Sequence, residues 1–367
     1  MDHTSINQII IDIMVVFMVI GAIDKALLGN KIGLGEKFDE GFMAMGALAL
    51  SMVGVISLAP VLANVLNPIV GPVYRALGAD PAMFATTLLA CDMGGYPLAM
   101  QMAATPEIGN FAGMILGSMM GPTIVFSIPV ALGIIEKSDR QFLAKGTLVG
   151  IVTIPIGSLV GGVLQGLPIG VVVSNLIPVV IVAILIAIGL WRTPDAMVKG
   201  FDWFGKGVIA VITLALAAII IETLTGIVII PGMAPLSEGV EVIGAIAIVL
   251  AGAFPMVYII TKYGQKPLMK VGKLLGVNDV SAAGLVATLA NNIPMFTLMK
   301  DMDNRGKVIN VAFCVSAAFV FGDHLGFCAG VAREMIFPMI IGKLVGGISA
   351  VIVAMFVAPK SELQAQG

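Results

Sequence analysis

"TLANNIPMF", residues 288–296, sits inside a long apolar stretch, yet carries Asn291, Asn292 and Pro294 where a membrane helix is ordinarily hydrocarbon. Proline removes an amide donor and interrupts a helix. A broken helix frees carbonyls and amides that hydrocarbon cannot satisfy, so a break is tolerated only against protein or a wet cavity. The surrounding chain is greasy throughout. Of 367 residues, 59% are hydrophobic and 11% charged, with a mean hydropathy of +1.06. Soluble domains carry roughly 25% charge, so a large soluble core does not account for this composition. Apolar runs of bilayer length recur along the whole chain. The expected class is therefore an all-α polytopic membrane protein.

Other classes are poorly supported. The net charge of −2 comes without any basic tract that would suit nucleic acid. Cys91, Cys314 and Cys328 lie in apolar segments without metal-ligand spacing, and read as small buried hydrophobes. The N-terminus lacks a basic leader, so a retained first helix is expected and not a cleaved signal.

Membrane elements are placed near 5–27, 40–64, 81–102, 109–135, 143–165, 169–191, 205–226, 238–261, 280–300, 308–328 and 334–358. Lys and Arg concentrate in the connections near 30, 140, 200, 270 and 305, and are absent from those near 105, 167 and 232. Basic connections mark the cytoplasmic side. Eleven full spans would split them between the two sides. Letting 81–102 and 280–300 enter and leave on one side, as re-entrant hairpins, leaves nine spans and puts every strongly basic connection in the cytoplasm. The N-terminus is then outside and the C-terminus inside.

The chain also matches itself. "EGFMAMGALAL" (40–50) aligns with "EGVEVIGAIAI" (238–248), "LGADPAMF" (77–84) with "LGVNDVSA" (275–282), "ACDMGGYPLAM" (90–100) with "ANNIPMFTLMK" (290–300), and "GSLVGG" (157–162) with "GKLVGG" (342–347). Four matches in one order give a first repeat over 1–165, a linking helix and loop over 166–200, and a second repeat over 201–367. The halves run in opposite orientations, an inverted-repeat architecture used by transporters with broken helices near the midplane. An elevator-like movement of one block against the other follows by architectural analogy.

Both hairpins start with a cap, Asp80 before Pro81 and Asn278. They break at Gly94-Gly95-Tyr96-Pro97 and Asn291-Asn292-Ile293-Pro294. Asp92 aligns with Asn292, which puts a carboxylate at one tip and amides at the other. A carboxylate at bilayer depth costs roughly 2.5–3.5 kcal/mol, so it is seldom idle; the bland alternative is a capping or protonated acid. The asparagines could equally bond between helices. "FGDHLGF" (321–327) adds Asp323 and His324, neighbours that face different ways on a helix and are assigned to ion coupling. Tyr96, Phe126, Phe296 and Phe327 fall beside these positions, and ring faces attract ammonium groups. Together they would suit a small organic cation bearing a hydroxyl. The substrate-binding candidates are Asp92, Tyr96, Phe126, Asn291, Asn292 and Phe296. The paired Gly-x-x-x-Gly motifs at 157–161 and 342–346 read as close helix packing, and the stretch 262–276 as an interfacial basic segment.

Several strings carry a resemblance. "EGFMAMGALALSMVG", "LLACDMGG", "LGSMMGPTIVFSIPVALGIIE", "VATLANNIPMF", "RGKVIN", "FGDHLGF" and "MIFPMIIGKLVGG" resemble the ethanolamine permeases of bacterial ethanolamine-utilisation operons, the EutH type. The resemblance spans roughly residues 5–358, with shorter connections near 28–38 and 166–169. It implies a multi-pass protein of the bacterial cytoplasmic membrane that brings ethanolamine in for breakdown. A scaffold needs a broad apolar interface, so a homodimer is expected. No cofactor is expected, and proton coupling, sodium coupling and facilitated diffusion all stay open. An ion-coupled carrier of another small amine or polar metabolite is the alternative. No HExxH pair, Gly-x-Ser-x-Gly elbow or His/Cys ligand cluster is written in the sequence, so neither a catalytic residue nor a metal site is expected. A sensor that binds without flux is the remaining class.

Overall fold

The structure, a computed structural model, describes residues 3–360, with the side chains of residues 3, 4, 264–271 and 273 outside the description. Every regular element among the described residues is helical. Eight helical runs are long and apolar enough to cross a membrane: Ser5–Leu27, Leu34–Ala76, Pro106–Ile134, Lys137–Leu164, Ile169–Arg192, Pro194–Thr225, Leu236–Tyr263 and Arg333–Val357. The chain is a multi-pass membrane protein. Most of the basic segment 262–276 falls on side chains outside the description.

The principal elements are α1 (His3–Leu27), α2 (Leu34–Ala76), α3 (Ala82–Leu88), α4 (Tyr96–Met102), α5 (Pro106–Asn110), α6 (Met120–Pro122), α7 (Ile128–Ile134), α8 (Arg140–Leu164), α9 (Ile169–Arg192), α10 (Pro194–Thr225), α11 (Leu236–Leu275), α12 (Asp279–Ala290), α13 (Asn292–Leu298), α14 (Asn304–Ala317), α15 (Asp323–Val331) and α16 (Ile336–Val357). Two expected boundaries move. The second span extends far beyond 40–64, through Pro60, Pro68 and Pro72. The eighth span, 308–328, is not continuous but two half-helices, α14 and α15. Phe319 at φ 63° and Gly322 at φ −110°, ψ −126° take the backbone out of helical geometry between them.

The segments 81–102 and 280–300 are helix–break–helix hairpins. In the first, Asp80 ties the ends together: Oδ1 accepts from the Ala82 amide (2.8 Å) and Oδ2 from that of Ala104 (3.0 Å). In the second, Asn278 caps α12 through Ser281 N (2.9 Å), and its Nδ2 donates to Asp301 O (3.0 Å). Capping aspartate and asparagine satisfy amides that a helix start leaves unpaired.

Polar contacts sort the connections onto two ends of the bundle. At one end Lys307 pairs with Asp139 (2.6 Å), Arg305 donates to Leu275 O and Pro359 O, and Lys37 and Lys262 lie over the Tyr258 ring. At the other, Asp80 N bonds Asn175 Oδ1, Gln165 reaches Glu107 O, and Asn7 Nδ2 donates to Glu334 O. The connections rich in Lys and Arg near 30, 140 and 305 thus share an end. The first hairpin opens at the basic-poor end and the second at the basic-rich end.

Helices α8 and α16 pack together where the two Gly-x-x-x-Gly motifs face each other. A Cβ on Gly157 would lie 2.4 Å from Gly342 O, and one on Gly342 would lie 3.0 Å from Gly157 O. Neither backbone can retreat cheaply from a close-packed pair. Gly157→Val should therefore destabilise the protein by about 1–3 kcal/mol, the usual cost of overpacking. Unfolding in detergent measures it, and unchanged stability would show that the pair has slack.

Candidate functional site

The hairpins meet two interrupted helices by their broken backbones: the α14–α15 pair, and the run 106–134, which leaves helical geometry at 117–119. Cys91 N donates to Gly117 O (2.7 Å), while Phe319 N and Phe321 N donate to Thr288 O and Leu289 O (3.1 and 2.9 Å). The contact has glycine on both sides: a Cβ on Gly121 would lie 2.0 Å from Leu89 O, and one on Gly322 would lie 2.1 Å from Ala290 O. At each tip a hairpin carbonyl lies against a glycine of the break, and hydrogen bonds cross between them, donated by the hairpin's Cys91 at the first tip and by Phe319 and Phe321 of the break at the second. This answers what makes the interruptions tolerable: each break bonds the other, as an apolar environment requires.

Asp92 lies in the wide helical turn Cys91–Gly95 at the first tip, where Gly94 takes φ 90°. It lines a cavity of about 40 Å³ with Phe126, Phe319, Asp323 and His324. That volume suits about three waters, the scale of a molecule with four heavy atoms. Phe126 and Phe319 meet edge-on at 5.7 Å, and Phe319 lies against the His324 ring at 5.1 Å. Phe319 holds a positive φ at this point, a cost that functional sites often carry. Two carboxylates and two ring faces around one small void can take an ammonium group.

Of the residues singled out in the sequence, Asp92, Phe126, Asp323 and His324 come together here. The others do not. Asn291 caps α13, its Oδ1 accepting from Ile293 N (2.8 Å). Asn292 is fully buried; its Nδ2 donates to Ser127 Oγ (2.8 Å), while its Oδ1 has no partner. Phe296 packs in an apolar cluster with Met295, Met299 and Ala131. Tyr96 packs on Phe327 at 5.7 Å and donates to Asn110 Oδ1 (3.0 Å). Both rings line a separate, open cavity of about 720 Å³ that also holds Gln101, Glu238 and Glu241. Tyr96 and Phe327 each follow an aspartate of the inner cavity, Asp92 and Asp323, by four residues in the chain.

One residue escaped the sequence reading. Lys343, on α16, is buried at 1% exposure. Its Nζ donates to Ser118 O at the break before α6 and lies 3.1 Å from His324 Nδ1. An ammonium can only donate. The imidazole therefore accepts at Nδ1 and carries its proton on Nε2, an assignment that rests on this partner. The signal was present: a lysine inside "MIIGKLVGGISAVIV", matching Ser158 of "GSLVGG".

Cys91, Asp92 and His324 also bring one ligand atom each within 4.8 Å of one another. Zinc bonds of about 2.0–2.3 Å need closer donors, and the Lys343 ammonium already faces this imidazole.

Comparison with known proteins agrees with the residues. The profile of the family described as "Ethanolamine utilisation protein, EutH" matches residues 6–357. A Listeria monocytogenes protein named "Probable ethanolamine permease EutH" is 65% identical over 354 residues, covering 96% of this chain and 95% of its own. The Salmonella typhimurium protein of the same name is 54% identical over 395 aligned residues, covering 98% and 97%. A Bacillus subtilis protein named "Uncharacterized protein YxeR" is 53% identical over 362 residues, covering 99% and 98%. No solved structure matches. A match over nearly the whole length, with relatives above half identity, makes this chain a member of the EutH family of ethanolamine utilisation proteins.

Proposed function

We propose that the chain is a permease that carries ethanolamine into the cell. The observation that supports it most is the pair of carboxylates, Asp92 and Asp323, facing one aromatic-lined cavity of about 40 Å³ at the meeting point of broken helices. Ethanolamine at neutral pH is mostly an ammonium ion, whose passage through hydrocarbon is costly. The relatives' names supply the substrate. Asp92 answers the ammonium, and nearby amide or backbone groups address the hydroxyl. No covalent chemistry is required of the protein, so it is a carrier and not an enzyme.

The mechanism in this reading is alternating access. The two halves, 1–165 and 201–367, are inverted repeats joined by 166–200, and the hairpins form part of a block that moves against a scaffold. The matched glycine contacts at the two tips support that reading. The vestibule bearing Glu238 and Glu241 is its outward entrance, with acidic groups that concentrate cations. The basic-rich end is cytoplasmic, which leaves the N-terminus outside and the C-terminus inside. Exposed Trp203, Leu214 and Leu224 on α10 offer an apolar face for a homodimer.

The test is uptake of labelled ethanolamine into proteoliposomes. Saturable, protein-dependent uptake, competed by ethanolamine more strongly than by other small amines, is expected. Flux of another amine in preference would favour the alternative carrier, and binding without flux would leave a sensor.

A further inference from the structure

The charges around the cavity, on the half-buried Asp92 and Asp323 and the buried Lys343, do not balance, and the imbalance specifies what the substrate exchanges with. Asp92 sits at the tip of the first hairpin and Asp323 at the start of α15, both on one cavity. Lys343 from α16 reaches the same place through His324. The other titratable groups facing them are Cys91, Cys314 and Cys328, all buried thiols. His324 accepts from Lys343 and is therefore neutral. Glu334 is exposed and bonded to Asn110 (3.0 Å). The Asp139–Lys307 pair is self-contained at the basic end. With each carboxyl ionised and the lysine charged, the cluster carries two negative charges and one positive.

A net charge held away from water is strongly disfavoured and is neutralised by proton uptake where that is available. The empty cluster reaches neutrality by binding one proton. The loaded cluster reaches it with the substrate's own ammonium, so the proton must leave. From this count, and on the reading of the chain as an ethanolamine permease, we infer that the protein exchanges one ethanolammonium ion for one proton, with no net movement of charge. On loading, a carboxylic O–H gives its proton to water on the side of entry, and the carboxylate oxygen then faces the substrate's N–H. On release inside, that carboxylate takes a proton from cytoplasmic water. No covalent bond to the substrate forms or breaks. Lys343 makes the two carboxylates compatible: it offsets one permanently and leaves the other to alternate between proton and substrate.

The cycle has a distinct electrical signature. Proteoliposomes holding the full-length protein would be loaded with a potassium gradient and valinomycin at equal pH inside and out, beside protein-free vesicles that report leakage of the free base. Exchange predicts that an inside-negative potential leaves protein-dependent ethanolamine distribution unchanged. Uniport of the cation predicts roughly tenfold accumulation per 59 mV. With the interior one pH unit more acidic, exchange should speed the approach to roughly tenfold accumulation beyond the protein-free rate. Potential-driven accumulation, or accumulation driven by sodium, would overturn exchange and leave the permease reading intact. Absence of any protein-dependent uptake would overturn the permease reading and the exchange with it.

Discussion

Asp92→Asn should cut ethanolamine uptake by roughly 100-fold or more while the protein stays folded. Removing one partner of a buried, hydrogen-bonded charge pair costs about 2–5 kcal/mol, and about 2.7 kcal/mol corresponds to 100-fold. Asparagine keeps the shape of the side chain, so the cavity walls formed by Phe126, Phe319 and His324 are not disturbed. What is lost is the charge, and with it the ability to face a substrate N–H as an acceptor on both oxygens. The amide would instead present donors to an ammonium. The side-chain neighbour Cys91 Sγ is 4.0 Å from the carboxylate, too far for a bond on which the fold depends. Stability in detergent should therefore change little. Uptake and unfolding measured on the same preparation decide the matter. Wild-type uptake by the variant would remove Asp92 from the site, and a loss of stability as large as the loss of uptake would make it a structural acid.

How far the site could be read in the sequence follows from where its charges sit. Asp92, Asp323 and His324 were visible because an ionisable group inside an apolar run has few structural excuses. The hairpins were visible because paired breaks and Lys/Arg placement constrain each other. Lys343 carried the same signal and was absorbed by its setting: "GKLVGG" reads first as a packing motif, and Gly342 and Gly346 do pack on Gly157. Side-chain direction was not readable past a break. Helical periodicity places residues only while the turn count holds, and the wide turn Cys91–Gly95 resets it just before Tyr96. That is why Tyr96 ends on the vestibule with Phe327 and not beside Asp92. Phe296 and Phe319 were indistinguishable by composition, since both are rings in apolar sequence. Only the left-handed backbone of Phe319 turns it into the cavity wall. The break at 318–322 was hidden for a related reason: its residues are nearly all apolar, so hydropathy runs on through an interruption in the backbone.

Replacing Lys343 should be the most damaging single change to the fold, and the damage should be reversible by a second change. Lys343→Met removes the donor to Ser118 O and the partner of His324 Nδ1 and leaves Asp92 and Asp323 facing each other across one cavity. Breaking a buried ionic group by removing one partner typically costs about 3–5 kcal/mol, because the charge left behind is uncompensated. The methionine fills much of the same volume, so lost packing contributes little. If charge is the cause, removing a matching negative charge must restore part of the loss. The double variant Lys343→Met/Asp323→Asn should therefore be more stable than Lys343→Met alone, with a coupling of about 1–3 kcal/mol between the two positions. Unfolding of wild type, both single variants and the double variant in one detergent completes the cycle. Additive effects would mean that the lysine and the aspartate do not sense each other, and the charge count behind proton exchange would lose its basis. Recovery of stability without recovery of uptake is the expected combination. The double variant keeps the wild-type charge count, since Asp92 alone must then be protonated when empty and ionised when loaded, but it has lost the second carboxylate that faces the substrate.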